Sequence, residues 1–208
     1  MKENNWFDPF YIQSHLNEEE SNIQKNVRDF CNNELKPTVV ERNRKNEFDQ
    51  DLYPKFGSLG VLGQTVKTHG GSGTSNLAYG LVAYEFEKID SSYRSAISVQ
   101  SSLVIHPINE FGSQEQKDKY LPQLIKGEKI GCFGLTESEA GSDPTSMKTS
   151  FKKTKDGYIL NGSKNWITNA PIADIFIIWA IEENKDHKSI KGFICLLYTS
   201  PSPRDLST

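Results

Sequence analysis

The chain has 208 residues, which is long enough for one or two domains with hydrophobic cores of their own. Hydrophobic residues make up 36% and charged residues 25% of it, the ordinary balance of a globular protein, which excludes a predominantly disordered chain. A net charge of −3 gives no electrostatic reason to expect nucleic acid or an anionic membrane as a partner, and three cysteines without CxxC spacing suggest neither a disulfide framework nor a zinc site.

In chain order, the first residues, MKENNWFDPF, have neither the apolar run of a secretory signal nor the Arg/Ser-rich character of a transit peptide. The longest apolar run, from Ile175 to Ile181, is far shorter than the roughly 20 residues that cross a bilayer. We therefore expect a cytoplasmic protein with no membrane insertion, in a reducing compartment.

The first 128 residues have a helical period. Apolar residues recur at three- and four-residue steps after three consecutive glutamates, which predicts a helix from Asn17 that is interrupted at Pro37. Further helices are predicted after Asp49, from Thr74, over residues 92–108 and from Ser113. Gln116 is placed to complete a capping box with Ser113, and Gly127 to end that helix. We therefore predict an all-α helical bundle over residues 1–128.

From residue 129 the period shortens towards two. Short segments rich in β-branched and aromatic residues are separated by turn pairs such as Asp156-Gly157, which predicts a hairpin-rich antiparallel β domain. The predicted strands are IGCFGLT, SMKTSFKK, GYILNG, KNWITN, DIFIIWAI and GFICLL. Two prolines then interrupt the pattern, so we expect residues 129–195 to be a partial β domain and residues 196–208 to be a tail foreign to it.

Other motifs have simpler explanations. Residues 69–76, HGGSGTSN, place glycines before a helix, but Asn76 stands where a GxGxxG motif has its last glycine, so we interpret them as a loop. The four histidines lack metal-ligand spacing, and no Ser/His/Asp arrangement supports hydrolase chemistry. No metal site is predicted.

Two segments resemble the middle domain of the acyl-CoA dehydrogenase flavoproteins. They are GCFGLTESEAGSDPTS and NGSKNWITNAPIAD, in which LTE and GSD are followed by NG.K.WITN, the two-part signature of that family. The segment YRSAISVQSSLVIHPI is most similar to the glutaryl-CoA dehydrogenase branch. The resemblance departs at ESEA, where that branch more often has proline and asparagine, and over the tail.

The resemblance implies a multi-domain α+β fold. Its parts are the N-terminal helical bundle, an antiparallel β-barrel that is truncated here, and a C-terminal four-helix domain that is missing from these 208 residues. The catalytic base of the glutaryl branch is a glutamate of that C-terminal domain. None of the carboxylates in this chain matches it, so no catalytic residue is assigned.

FAD is the cofactor that the resemblance implies. Loops with exposed backbone groups and hydroxyls can hold the polar edge of a flavin. The residues that match the family's flavin contacts are Phe133, Leu135, Thr136, Gly141, Ser142, Trp166 and Thr168. Thr136 would meet the ring's polar edge, Trp166 and Thr168 would flank the ring from the next strand, and Ser142 would reach the pyrophosphate. The alternative is a β-bulge and loop with a core tryptophan.

Arg94 and Ser95 match the residues that receive the distal carboxylate of glutaryl-CoA in the glutaryl branch. Glu87, seven residues earlier and so two turns away on one helix face, matches a position that pairs with this arginine before substrate arrives. The alternative is an arginine in an internal salt bridge.

The resemblance therefore implies that a full-length enzyme oxidises glutaryl-CoA and decarboxylates the product to crotonyl-CoA. It would pass electrons to an electron-transfer flavoprotein, form a homotetramer and, in a eukaryote, reside in the mitochondrial matrix. One alternative is another acyl-CoA dehydrogenase with a different acyl preference, which Arg94 and Ser95 argue against. The other is a non-catalytic binding fragment, which the missing base favours.

Overall fold

A computed structural model describes residue 8 and residues 10–196 of the chain, and the predicted tail lies almost wholly outside them. In this part of the chain, α-helices precede β-strands, as predicted. The helices are α1 (Glu18–Phe30), α2 (Val39–Lys45), α3 (Leu52–Ser58), α4 (Asn76–Glu87), α5 (Ser91–Ser98), α6 (His106–Phe111) and α7 (Gln114–Ile125). The strands are β1 (Gly131–Gly134), β2 (Ser150–Thr154), β3 (Gly157–Asn161), β4 (Ile175–Glu182) and β5 (Lys191–Leu196).

Two helices begin at the residues that the sequence predicts. The backbone N–H of Glu20 donates to Asn17 Oδ1 over 2.8 Å, and the Glu20 carboxylate accepts from the Asn17 N–H, so a capping box opens α1. Ser113 and Gln116 form the same box at α7. Helix α2 is not predicted from the sequence, because it buries none of its residues and so has no apolar face to create a period.

The predicted helix over residues 92–108 is part of a longer helical run. Helix α5 passes through a π-helical turn, Val99–Ile105, directly into α6, which ends at Phe111. Gln100 in this turn is fully buried. Its amide donates to the carbonyls of Leu124 and Lys129, each over 2.9 Å, and its oxygen accepts from the Gly131 N–H over 2.8 Å. The turn thereby holds the start of β1 against the end of α7.

The sheet is mixed rather than purely antiparallel. Strands β2–β3 and β4–β5 form antiparallel hairpins, whereas β4 runs parallel to β1 and, at its end, to β2. Parallel neighbours require crossover connections, and the long segments at 135–149 and 162–174 provide them. Turn residues in the sequence predict the tight hairpins. They carry no signal for a long loop that crosses the sheet, so the parallel pairs were not predicted.

The predicted strand KNWITN is wrong, because residues 164–169 form a loop. Trp166 and Asn169 have φ angles of 59° and 68°, in the left-handed region, where a residue cannot continue a β-strand. The β-branched and aromatic residues of this segment therefore do not pair in the described sheet.

One hydrophobic core extends across helices and sheet. Phe56 and Phe86 meet edge-to-face in its helical part, with ring centroids 5.4 Å apart, and Ile175 and Ile177 of β4 belong to the same buried cluster. Through residues 10–196, no helix combines the length and apolar character that crossing a membrane requires.

Candidate functional site

The first predicted cofactor segment begins in β1 and continues into the loop that leads to β2. Phe133 lies in the strand and packs edge-to-face on Trp179, with ring centroids 5.9 Å apart. Leu135 and Thr136 are half-buried where the strand ends, while Gly141 and Ser142 are exposed at the far part of the loop. A Cβ atom at Gly141 would meet nothing within 4 Å, so the backbone there is open to a ligand.

The second predicted segment is the loop at residues 164–169. Trp166 is 92% exposed, and its left-handed backbone is uncommon for a bulky residue. Thr168 is also exposed. A large aromatic ring that the protein leaves uncovered is a surface on which a flat ligand can stack.

Hydrogen bonds from Asn165 bring the two segments together. Its backbone N–H donates to the Thr136 carbonyl over 3.0 Å, and its side-chain amide donates to Ser138 Oγ over 2.8 Å. Trp166 is therefore the direct neighbour of Asn165, which is hydrogen-bonded to the first segment. The two halves of the sequence signature, which are separate in the chain, form one surface.

A buried ion pair reinforces this contact. Lys164 Nζ lies 2.7 Å from Glu137 Oε1, and the two side chains are only 8% and 9% exposed. The carboxylate also accepts from the backbone N–H groups of Lys148 and Thr149, over 2.7 and 3.0 Å. Lys164 donates in addition to the Leu135 carbonyl over 2.9 Å.

The balance of burial and hydrogen bonding keeps Glu137 ionised. Burial raises the pKa of its carboxyl, but the hydrogen bonds from Lys164 and Thr149 and from the Lys148 backbone outweigh burial and lower the pKa to about 2. Sequence reasoning quoted both residues within the signature but assigned them no role. The available signal was that one half of the signature contains an acid and the other a lysine.

Asn169 connects the second segment to the helical domain. Its side-chain amide donates to the Gly131 carbonyl of β1 over 3.2 Å and, more weakly, to the Ala96 carbonyl of α5 over 3.5 Å. Ala96 follows directly after the predicted substrate residues Arg94 and Ser95. The loop of Trp166 is therefore tied to the helix that carries them.

Arg94 and Glu87 form an ion pair, with Nε and Oε2 2.7 Å apart. Their placement differs from the prediction in one respect: Glu87 ends α4 and Arg94 belongs to α5, so they face each other across a helix junction and not along one helix. Their side chains are 47% and 37% exposed, so Arg94 is better solvated than its apolar neighbours in the sequence suggest. Ser95 is half-buried beside it.

Arg94 borders a gap too narrow for a water molecule, next to polar residues that the sequence did not single out. Tyr79, Ile97 and Ser98 line it, and the Tyr79 hydroxyl lies 2.8 Å from Ser102 Oγ. The missed signal was the spacing of Ser95, Ser98 and Ser102, which places three hydroxyls on one face of a helix.

The residues of the two segments fit a flavin. Thr136, Ser142 and Thr168 use their hydroxyls in no hydrogen bond within the described part of the chain, so these groups are available to the polar edge or the phosphates of a cofactor. Trp166 offers the stacking surface, and the ion pair of Glu137 and Lys164 lies beneath the junction of the segments. The arrangement can bind and orient a planar cofactor.

Several known proteins similar to this chain are acyl-CoA dehydrogenases. An acyl-CoA dehydrogenase from Clostridium acetobutylicum, described as short-chain specific, is 39% identical over 181 residues, which are 86% of this chain and 48% of that protein. The mitochondrial isovaleryl-CoA dehydrogenase of Bos taurus is 40% identical over 168 residues, covering 79% and 39% of the two chains. The chain spans about half the length or less of these curated relatives.

The solved structure of a glutaryl-CoA dehydrogenase from Mycobacterium smegmatis in complex with FADH2 is also similar. It is 40% identical, with a TM-score of 0.86, over 90% of this chain and 47% of that one. Its ligand is the reduced form of the cofactor that the sequence resemblance implies. The acyl-CoA dehydrogenase N-terminal domain matches residues 17–128 and the middle domain matches residues 132–203, the latter extending past the predicted end of the β domain. The chain belongs to the acyl-CoA dehydrogenase family.

Proposed function

We propose that this chain provides the flavin-binding and acyl-binding parts of an FAD-dependent enzyme that oxidises the α,β-bond of an acyl-CoA. The observation that supports the proposal is the junction of the two cofactor segments, where Asn165, the residue before the uncovered Trp166, donates its backbone N–H to the Thr136 carbonyl. Bound FAD supplies the acceptor for the hydride that leaves the β-carbon. Thr136 and Thr168 would hold the polar edge of the ring, Trp166 would flank it, and Ser142 would reach the pyrophosphate.

The proposed substrate is glutaryl-CoA, which is oxidised and decarboxylated to crotonyl-CoA. Arg94 and Ser95 receive the distal carboxylate, a task for which an arginine fork beside a hydroxyl is suited. Glu87 holds the guanidinium until the substrate carboxylate replaces it. The proposed electron acceptor is an electron-transfer flavoprotein, the assembly a homotetramer, and the compartment the cytoplasm, or the mitochondrial matrix in a eukaryote. We assign no catalytic base to the described residues.

A neutral short-chain acyl-CoA is the second candidate substrate. Arg94 is already satisfied by Glu87 and remains partly in water, so its charge does not by itself demand an anionic ligand. The Clostridium acetobutylicum relative is described as short-chain specific, and its identity to this chain is close to that of the glutaryl-CoA dehydrogenase. Comparing the two acyl classes in binding separates these candidates.

Titration of the chain with FAD tests the cofactor proposal. We expect Trp166→Ala and Thr168→Ala to weaken FAD binding about tenfold each, because each removes a stacking or hydrogen-bonding contact worth roughly 1.4 kcal/mol. Phe111→Ala is the matched control, since Phe111 is an equally uncovered aromatic residue, 84% exposed, outside both segments. A chain that binds no FAD would leave only the non-catalytic alternative.

A further inference from the structure

We propose that Glu137 and Lys164 are positioning residues, whose buried ion pair holds the two cofactor segments in the arrangement that the flavin requires. The proposal rests on the proposed function, because it assigns a role at the same site. Neither residue needs to touch the cofactor. The pair acts through the loops that it joins.

The contacts of the pair define what it holds. Glu137 lies near the start of the first loop and binds the backbone N–H groups of Lys148 and Thr149 at the end of that loop. One carboxylate therefore closes the segment that carries Gly141 and Ser142. Lys164, one residue before Asn165 in the second loop, binds this carboxylate and the Leu135 carbonyl at once. The bonds of Glu137 to the backbone hold the two ends of the first loop together. The bonds of Lys164 hold the second loop against the first.

Stability alone does not account for such a pair. Removing two charges from water costs free energy that their attraction often fails to recover, and a well-packed apolar pair of similar volume is frequently as stable. An apolar pair, however, would leave the N–H groups of Lys148 and Thr149 without an acceptor and would not specify one relative placement of the loops. The geometry therefore favours a role in alignment.

Glu137 is also excluded as the missing catalytic base. Its two oxygens accept from Lys164 and from two backbone N–H groups, and the side chain is buried. A general base must reach a substrate proton and hold it near the operating pH. Glu137 therefore lies next to the cofactor segments because it joins their loops, and not because it transfers a proton.

The same loop contains a control. Lys148 and Glu139 form a second ion pair between an acid and a lysine, but both side chains are largely exposed, and pairs of this kind contribute little. Glu139→Gln and Lys148→Met therefore change charge on the same loop without touching the buried pair. The Lys148 contact to Glu137 uses its backbone N–H, which the substitution keeps.

The experiment measures FAD affinity and amide exchange on the full chain. We expect Glu137→Gln and Lys164→Met each to weaken FAD binding at least about tenfold and to accelerate exchange in residues 135–149 and 163–169 of the FAD-free protein by more than in the helices, whose slowest amides report only the loss of global stability. The double variant should lose less affinity than the sum of the two single losses, since both single variants remove the contact between Glu137 and Lys164. Lys164→Arg, which keeps the charge, should restore part of the affinity. Both control variants should bind FAD as the wild type does.

Each result has one meaning. If the wild type binds FAD and the buried-pair variants bind equally well, the positioning role is overturned and the proposed function stands. If exchange accelerates by the same factor in the helices and in the two loops, the pair is a general stabilising contact, and the inference fails. If the wild type binds no FAD, the proposed function fails, and the positioning role with it.

Discussion

At the scale of single residues, the ion pair of Arg94 and Glu87 sets how strongly the proposed site could select a glutaryl-CoA over a neutral acyl-CoA. A substrate carboxylate must replace Glu87, so its attraction to Arg94 is reduced by the contact that it breaks. The guanidinium is also partly solvated, which weakens any pair that it forms. The selectivity that the proposal assigns to this arginine is therefore moderate, well below the effect of a fully buried cation.

Replacement of Arg94 tests the substrate proposal. We expect Arg94→Met to weaken glutaryl-CoA binding about tenfold and to leave butyryl-CoA binding nearly unchanged, because only the first ligand carries a distal carboxylate. Glu87→Gln should strengthen glutaryl-CoA binding, since no internal carboxylate then competes. Isothermal titration measures both ligands, with Arg44→Met as the control for loss of an exposed arginine. Equal losses for both ligands would make Arg94 structural and favour a neutral acyl substrate.

Glu137 predicts a pH dependence of stability. Folding lowers its pKa from the ordinary 4.5 to about 2, so the carboxylate contributes up to about 3 kcal/mol that is fully present above about pH 5 and is lost as the pH falls towards 2. Urea denaturation should show the wild type more stable than Glu137→Gln at pH 6, with the difference shrinking by pH 3. A constant difference over this range would mean that the folded and unfolded carboxyls titrate alike.

At the scale of elements, local signals in the chain predicted the capped helices and the hairpins. The predicted capping box of Ser113 with Gln116 is complete within four residues, so no distant contact is needed to recognise it. At α1 the sequence predicted the start at Asn17, and the box with Glu20 is seen in the structure. The loop at 164–169 could not be predicted in this way. Its left-handed Asn169 is held by the Gly131 carbonyl, 38 residues away, and a contact of that range leaves no local trace.

Gln100 shows how one side chain joins three elements, and it gives a prediction at this scale. Gln100→Met should cost about 3 kcal/mol, because it leaves the Gly131 N–H and the Lys129 carbonyl without the partner that Gln100 provides, while the Leu124 carbonyl keeps the Gly127 N–H. Gln114→Met is the control, as Gln114 is exposed and bonds only to Asp118 on the same helix. Chemical denaturation measures both. A cost below about 1 kcal/mol would show that the turn and the strand rearrange to satisfy these groups.

At the scale of the whole molecule, the sequence indicated both domains and their order but not how they share a core. The candidate site residues were predicted by resemblance, since Trp166 and Thr136 are 30 positions apart and no period links them. The ion pair of Glu137 and Lys164 was visible only once the loops were placed. Likewise, the sequence predicted Ile175 and Ile177 as strand residues. Their packing into the helical core depends on the parallel neighbour β1, which the sequence did not predict.

This shared core predicts that helices and sheet unfold together. Ile177→Ala should remove about 2–4 kcal/mol and shift the helix signal and the sheet signal by the same amount, because the residue belongs to a cluster that spans both. Far-UV circular dichroism reports on the helices. Fluorescence of a Trp6→Phe/Trp166→Phe background, in which Trp179 of β4 is the remaining tryptophan, reports on the sheet. Two separate transitions, with the helices surviving the loss of the Trp179 signal, would show that the core divides at the boundary between the domains.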